Sequence, residues 1–493
     1  MKTIYLQSKI CLSLIVLATS WTALASKSQD AKGLLPEVNL NSDNEDKNQD
    51  TAYKSELLIT KTETKAIESL QKIIQKKKGA AEEADLLYRL AELYMRRAKS
   101  GRFFDLNAEQ KKAGLSQSAA ESLNAAIKIY SSIITRFPKY ANLDAVHFNI
   151  ALASLQTKQV EKAKMHYLKL TTEFSKSKLY PDALLELGEL YYNQENFTAA
   201  LEQFKKIEAF PKSKAYPYGV YKSAWCYYNL KDSVPAVAKL KQIVESNPAD
   251  STDAKKFNLR KEALRDLTLF VEESVPPEQL YTFFRKIATD AELGDVIINL
   301  SSLFESHSHY KEVNVFITEF IEKNEMNPYV AKAYVKLIDV NEILKQRETV
   351  LSHLQKLSDF CYEKNFSADP KSTESTCKDE FKKVSLEISK KWWEIWLKNK
   401  SHTEFSKLTE KAFEILLSKD DATQPDSASR FAYAELLFQL GKFEKASQNY
   451  ENVSQVKKLD AGKKHDALYG AIYSTEKLIE KEKANEVAFA DQQ

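Results

Sequence analysis

Apolar and polar positions along this chain alternate in short helical phrases. Between Ala183 and Ile207, apolar or small residues fall at Leu184, Leu187, Gly188 and Tyr191, and again at Ala200, Phe204 and Ile207. Within each half the steps of three and four keep these residues on one helix face, and the polar run Asn193–Asn196 between the halves predicts a turn. The same frame recurs at Ile150, Ala151, Ala163, Tyr167 and Leu170, and at Ala224, Tyr227, Ala236, Leu240, Ile243 and Pro248. Unit starts near Asp144, Pro181 and Pro217 give periods of 37 and 36 residues. A period of that size predicts a solenoid of helix–turn–helix units, each burying its apolar face against its neighbours. The small residues Ala151, Gly188 and Ala224 let first helices approach closely, and Ala163, Ala200 and Ala236 fill the same crossing from the second helix.

The frame extends upstream to Leu87, Leu90, Ala91 and Tyr94, then Ala126, Tyr130, Ile133 and Pro138, with Arg102-Phe103-Phe104-Asp105 in an insertion between the halves. Ala66, Leu70 and Ile73 predict the second helix of an earlier, incomplete unit. It returns downstream at Ala434, Leu437, Gly441, Phe443, Ala446, Tyr450 and Val453, and Tyr469, Gly470 and Tyr473 begin a partial unit. Residues 251–425 keep a helical period, as in Leu300, Ser301, Phe304, Tyr310, Val313, Ile317 and Phe320, but depart from the small-residue rule. They are read as degenerate helical hairpins whose pairing the sequence leaves open.

Composition narrows the function classes. The 493 residues contain only 10 glycines, about 2% against an average near 7%. Proline is also scarce, so the tight turns of a sandwich, barrel or propeller are not available and the fold class is all-α. No two glycines stand close enough for a P-loop, a dinucleotide fingerprint or a Gly-x-Ser-x-Gly elbow. Net charge is +3 with no sustained basic stripe, so nucleic acid is not an expected partner.

The amino terminus looks like an export signal: basic Lys2 and Lys9, the apolar run Ile10–Ala18, and the small-x-small site Ala23-Leu24-Ala25. Ser13, Thr19, Ser20 and Thr22 interrupt it, which argues against a membrane anchor. Cys11 lacks the lipoprotein pattern before it. A cleaved signal over 1–25 and a periplasmic location are therefore expected. The polar residues 26–62 are read as a disordered leader, followed by an array over 63–250, the degenerate hairpins of 251–425, further units over 426–485 and a tail over 486–493.

The repeat pattern resembles the tetratricopeptide repeat, whose units carry a small residue at position eight and alanine at position twenty. Tyr221-Lys-Ser-Ala-Trp-Cys-Tyr-Tyr-Asn-Leu230 is similar to units of bacterial envelope proteins: the coordinator of the Tol–Pal division machinery, outer-membrane assembly lipoproteins and gliding-motility components. The resemblance implies a right-handed superhelix and a non-catalytic scaffold that binds a protein or peptide partner in the envelope. It also implies a concave groove lined by positions two, five, nine and twelve of the first helices. In the unit from Pro217 these are Tyr218, Tyr221, Trp225 and Tyr228; earlier units supply Leu185, Glu189 and Tyr192, then Phe148, Leu152 and Leu155. The competing reading is that these aromatics pack against the next repeat. Lys222 and Asn149 stand in different units, so the carboxylate clamp for chaperone termini is not expected.

No nucleophile–base arrangement or His-Glu-x-x-His motif is present, and His307-Ser-His309 is read as a solvated turn rather than a metal site. No cofactor and no metal are expected. The enzyme alternative is a peptidoglycan lytic transglycosylase with a helical superhelix, but the Gly-Leu-Met-Gln segment of those enzymes is missing. Trp392, Trp393 and Trp396, flanked by lysines, fit either a wide buried face or an interfacial helix. Of the cysteines after the signal, Cys226 is expected buried and reduced. Cys361 and Cys377 bracket a loop-like run and are either a disulfide or two unrelated thiols.

Overall fold

A computed structural model describes residues 45–106, 118–247, 249, 259–363, 374–419 and 426–490, and among them there are twenty helices and no strand. The export signal, the leader up to residue 44 and the end of the tail lie outside the described residues. The chain divides into two compact units, one ending at Tyr140 and the other beginning at Ala141.

The first unit holds α1 (Glu45–Lys76), α2 (Glu83–Leu106) and α3 (Ala119–Arg136), each packed on the next. Helix α3 starts on a capping box in which Ser118 and Glu121 satisfy one another's backbone N–H groups. The expected leader is thus helical from Glu45. Its physical reason is an anchor further along: buried Arg97 donates to the Thr60 carbonyl (3.1 Å) and to the Thr64 hydroxyl, and Ile67 is buried. Once a turn is fixed there, extension costs little per residue. The inward stripe passes through Thr60 and Ile67, while Ile73 is 46% exposed, so the frame expected from Ala66, Leu70 and Ile73 sits slightly too far round the helix.

The second unit runs α4 (Leu143–Gln156), α5 (Val160–Glu173), α6 (Tyr180–Asn193), α7 (Phe197–Ile207), α8 (Tyr216–Asn229), α9 (Ser233–Ser246), α10 (Arg260–Phe270), α11 (Pro277–Arg285), α12 (Asp290–Ser306), α13 (Tyr310–Lys323), α14 (Val330–Ile343), α15 (Arg347–Glu363), α16 (Glu374–Lys398), α17 (Thr403–Leu417), α18 (Ser427–Gln439), α19 (Phe443–Ser454) and α20 (Ala461–Ala490). Antiparallel pairs such as α4/α5, α6/α7, α8/α9, α12/α13, α14/α15 and α18/α19 stack in order. First helices of successive pairs also touch: α6 with α8, and α12 with α14. This is an α-solenoid, with contacts between near neighbours only.

One turn is repeated within these pairs. Lys158, Glu195, Lys231, Ser308, Lys345 and Gly441 all have φ between 60° and 69°, and each sits between the helices of a pair. At each, the N–H of the following residue reaches back five residues, as from Asn196 to the Tyr191 carbonyl (3.0 Å) and from His309 to Phe304 (2.8 Å). This is a Schellman closure, which satisfies the last carbonyls of the first helix. Counting from the left-handed residue gives one register. Seven positions before it stand Ala151, Gly188, Ala224, Ser301, Ile338 and Ala434. Five after it stand Ala163, Ala200, Ala236, Val313, Val350 and Ala446. All of these residues are buried, Gly188 with its side-chain site taken up by Phe204. Gly188 shows why the first set is small: a Cβ there would lie 2.3 Å from the Phe204 ring. The middle segment is therefore the same array with Ser301, Ile338, Val313 and Val350 at the crossings. Within it α11, nine residues long, packs chiefly on α13.

Trp392 is fully buried and Trp396 nearly so; the Trp392 indole N–H donates to Glu342 (3.0 Å), and half-buried Trp393 meets the Phe413 ring edge-on. Trp392 and Trp396 are core between α16, α14 and α17, and Trp393 lies at its edge. Cys361 and Cys377 form a disulfide joining α15 to α16, and Cys226 is a buried free thiol. His307-Ser308-His309 is one of the Schellman turns, with His307 Nδ1 2.6 Å from Glu272.

Candidate partner-binding face

Helices α4, α6 and α8 carry the aromatic positions expected of a groove, and their geometry can be read residue by residue. Phe148 is buried with its ring edge-on to Tyr167 (5.6 Å). Tyr192 is buried against Phe197, its hydroxyl accepts from the Asn229 amide (3.1 Å), and the Lys222 ammonium lies 4.9 Å from its ring centre. Tyr218 is 5% exposed and Tyr221 2% exposed.

What closes over the last of these residues was not legible in the sequence. Asp266 on α10 is buried beneath α8 and accepts hydrogen bonds from the Tyr221 hydroxyl and from the Trp225 indole N–H (3.1 Å). Phe270, one turn further on, is stacked on Tyr228 at 4.3 Å and meets Trp225 edge-on at 5.0 Å. Helix α10 thus clasps the row. Of the six aromatic positions, only Trp225 and Tyr228 remain half-exposed. Asp266 and Phe270 lie in the segment where the repeat frame fades, so nothing in the sequence pointed to them except helical spacing. Burial pushes the Asp266 carboxyl up, opposed by the hydrogen bonds of Tyr221 and by Arg265.

Beside the aromatic row runs an acidic one. Asp182, Glu186 and Glu189 are spaced four and three apart on α6, hence on one face. Lys222 on α8 donates to Glu189 (3.0 Å). Glu186 is 7% exposed, and burial, reinforced by Glu189 and Asp182, pushes its carboxyl up to about 8. In the first pair of this unit, buried His147 and His166 meet with their Nδ1 atoms 2.8 Å apart; burial pushes His147 down and His166 down to about 4. One of the two nitrogens must donate and the other accept, so one ring carries its proton on Nδ1 and the other on Nε2, and burial favours the neutral form of both. Among the described residues no group of three or more His, Cys, Asp or Glu side chains is placed to hold a metal ion. No described helix is long and apolar enough to cross a membrane.

The profile of the tetratricopeptide repeat matches residues 182–213 and 218–250, the pairs α6/α7 and α8/α9 that carry this face. The chain contains tetratricopeptide repeats. No curated protein sequence matches it. Among solved structures it is similar to the nearly identical TPR-like repeats of a putative kinesin light chain from Podosopora anserina, at 15% identity over 45% of this chain and 98% of that one, with a TM-score of 0.30. A tetratricopeptide repeat protein from Parabacteroides merdae is 10% identical over 77% of this chain and 98% of its own, with a TM-score of 0.26. Pseudomonas aeruginosa pilF is 12% identical over 57% and 95%, with a TM-score of 0.25. Tetratricopeptide repeats bind protein partners, and the matched repeats are the ones that bring Trp225, Tyr228, Glu189 and Lys222 to one face.

Proposed function

We propose that the protein is a non-catalytic interaction scaffold of the bacterial envelope that holds an extended segment of a partner protein against the first helices of its repeats. The observation that carries this reading is the half-exposed Trp225–Tyr228 pair, fixed edge-on at 5.8 Å beside the Lys222–Glu189 ion pair. Rigid aromatic anchors next to a few polar groups are the composition that concentrates binding energy. The groove is narrower than six aromatic positions suggest, because Phe148, Tyr192, Tyr218 and Tyr221 support the surface from below. Export rests on Lys2, Lys9, Ile10–Ala18 and Ala23–Ala25. Division, outer-membrane assembly and gliding motility are the envelope processes that use scaffolds of this kind.

Tyr228→Ala leaves both hydrogen bonds to Asp266 in place and removes the ring that stacks on Phe270, so it tests the face while the polar half of the clasp stays closed. Partners recovered by affinity purification with the wild-type protein are expected to bind the variant about tenfold more weakly, with a helical circular dichroism spectrum and an unfolding midpoint lowered only by the loss of the Phe270 stack. Partners held equally well would overturn the face. The purified protein is expected to give no clearing on cell-wall zymograms. A lytic band would replace the scaffold by the transglycosylase alternative.

A further inference from the structure

Helix α11 has two faces of different character. It packs chiefly on α13 and buries Leu280, Tyr281 and Phe284; the Tyr281 hydroxyl accepts from the Asn324 amide at the end of α13 (2.9 Å). On the opposite side stand Gln279, Thr282, Phe283 and, just past the last turn, Lys286. Steps of three, four and seven from Gln279 keep them on one helix face. That face, the turn before it and Lys241 of α9 enclose a cleft of about 410 Å³, in the lower part of the size range of ligand sites. Its apolar part is Val275, Pro276 and the half-buried ring of Phe283. The polar groups around that part are spare. Among the described residues, Gln279 and Thr282 make no side-chain hydrogen bond and Lys286 makes no ion pair. Lys241 has a loose 3.5 Å contact with exposed Glu245, one turn further along α9, a kind of pair that contributes little.

The charges of the cleft say what fits. Its lining holds two lysines and no acid. A cleft of about 490 Å³ between α15 and α17 makes the contrast: there Lys411 meets Glu348 at 3.4 Å and Glu414 lines the same space, so the charges are matched within the protein. Between α9 and α11 they are not. Glu272, just before the turn, is taken by His307 (2.6 Å). The two ammonium groups are therefore left for an anion from outside, and lysine–carboxylate hydrogen bonds are of the strong, charge-assisted kind. A small free anion would use the lysines and leave the Phe283 ring bare; a ligand with an apolar body and carboxylates uses both. The Gln279 amide and the Thr282 hydroxyl each donate and accept, which suits the N–H and C=O groups of a peptide backbone. From this complementarity we infer that the cleft between α9 and α11 is a docking site for a short acidic segment of a partner protein. A large apolar side chain of the segment lies against Val275, Pro276 and Phe283, its backbone on Gln279 and Thr282, and its carboxylates on Lys241 and Lys286. The site shares no residue with the Trp225–Tyr228 face on α6 and α8, so failure of either leaves the other standing.

The probe is the unlabelled peptide acetyl-Asp-Glu-Phe-Glu-Asp-amide, titrated calorimetrically into the full chain without its export signal at about 0.15 M salt, where distant charges are screened. A short flexible peptide loses ordering entropy on binding, so a saturable one-to-one isotherm with Kd of about 100 μM is expected. Lys241→Glu and Lys286→Glu should each weaken it at least about tenfold, and so should alanine in place of the peptide's phenylalanine. Both lysines are solvent-accessible, so the circular dichroism melts of these variants should match wild type. Lys176→Glu, in the turn between α5 and α6, changes the net charge by the same amount and should leave binding within about twofold. A peptide that shows no saturable binding up to about 2 mM overturns the inference. So does binding that Lys176→Glu weakens as much as Lys286→Glu, which is attraction by net charge alone, or binding that the alanine peptide reproduces.

Discussion

Replacing Arg260 by methionine is expected to cost about 3–5 kcal/mol of stability, because it breaks a buried charge cluster from one side. The guanidinium is 7% exposed and all of its N–H groups are engaged. Nε and Nη2 grip the Glu292 carboxylate in a two-pronged bond, both at 2.8 Å; Nη1 donates to the carbonyls of Val244 (2.7 Å) and Asn247 (3.2 Å), and Nη2 also to that of Ile287 (2.7 Å). One side chain therefore ties the end of α9, the start of α10, the segment after α11 and the start of α12. Glu292 is itself the third residue of a capping box with Thr289. Methionine fills much of the volume but leaves three carbonyls and a carboxylate without their donor. Arg260→Lys keeps the charge and loses the fork geometry, so its cost should fall between wild type and methionine. In an array held by neighbour contacts the damage should be local. Hydrogen exchange is expected to rise first in α9–α12 while α4–α8 stays protected. Uniform loss of protection along the array, or a cost under 1 kcal/mol in urea titrations, would refute this account of Arg260.

The repeats from Asp144 to Pro248 were legible because their crossings use residues that are rare elsewhere on a helix face. Ala151, Gly188, Ala224, Ala163, Ala200 and Ala236 keep the two helices close, and a fixed period of small residues survives in a single sequence. Where the crossing widens, the signal goes. Ile338 and Val350 do in α14 and α15 what Ala224 and Ala236 do in α8 and α9, and they read as ordinary core residues. The turns were hidden for a different reason. A left-handed residue at a helix end is usually glycine, yet five of the six are Lys, Glu or Ser, each accepting roughly 1–2 kcal/mol of steric cost against the two backbone bonds of the closure. The spacing of the aromatic row is legible in the sequence, but its cover is not: Asp266 and Phe270 come from α10, across a stretch where no frame could be carried forward. Arg260 was invisible for the same reason, since all five of its acceptors are backbone carbonyls or carboxylate oxygens of a residue thirty-two positions away. For α20 the spacing of Tyr469, Gly470 and Tyr473 marks a partial unit, and only burial shows that Gly470 faces inward while Ile472 faces out.

Glu186→Gln is expected to make the protein more stable as pH rises, by about 2 kcal/mol between pH 6.5 and 9. Glu186 lies on α6 inside the acidic row, 7% exposed, with burial the first cause and Glu189 and Asp182 the second and third causes of a carboxyl pushed up to about 8. In the unfolded chain the same group titrates near 4.3. Between those values the folded protein binds a proton that the unfolded chain does not, so the stability contributed by this site is full at low pH and is lost as pH rises through 8. Glutamine keeps the shape and stays neutral, which removes the slope. Buried His147 and His166 act in the opposite direction. Their pushed-down values mean that their contribution is full above about 6.5 and is lost as pH falls towards 4. Working above pH 6.5 therefore isolates the carboxyl. Urea unfolding of wild type and Glu186→Gln, measured side by side at pH 6.5, 7.5, 8.5 and 9, should give curves that start close and diverge as the wild type weakens. Two parallel stability profiles would mean that Glu186 is ionised at neutral pH and that solvent or a partner's cation reaches the acidic row of α6.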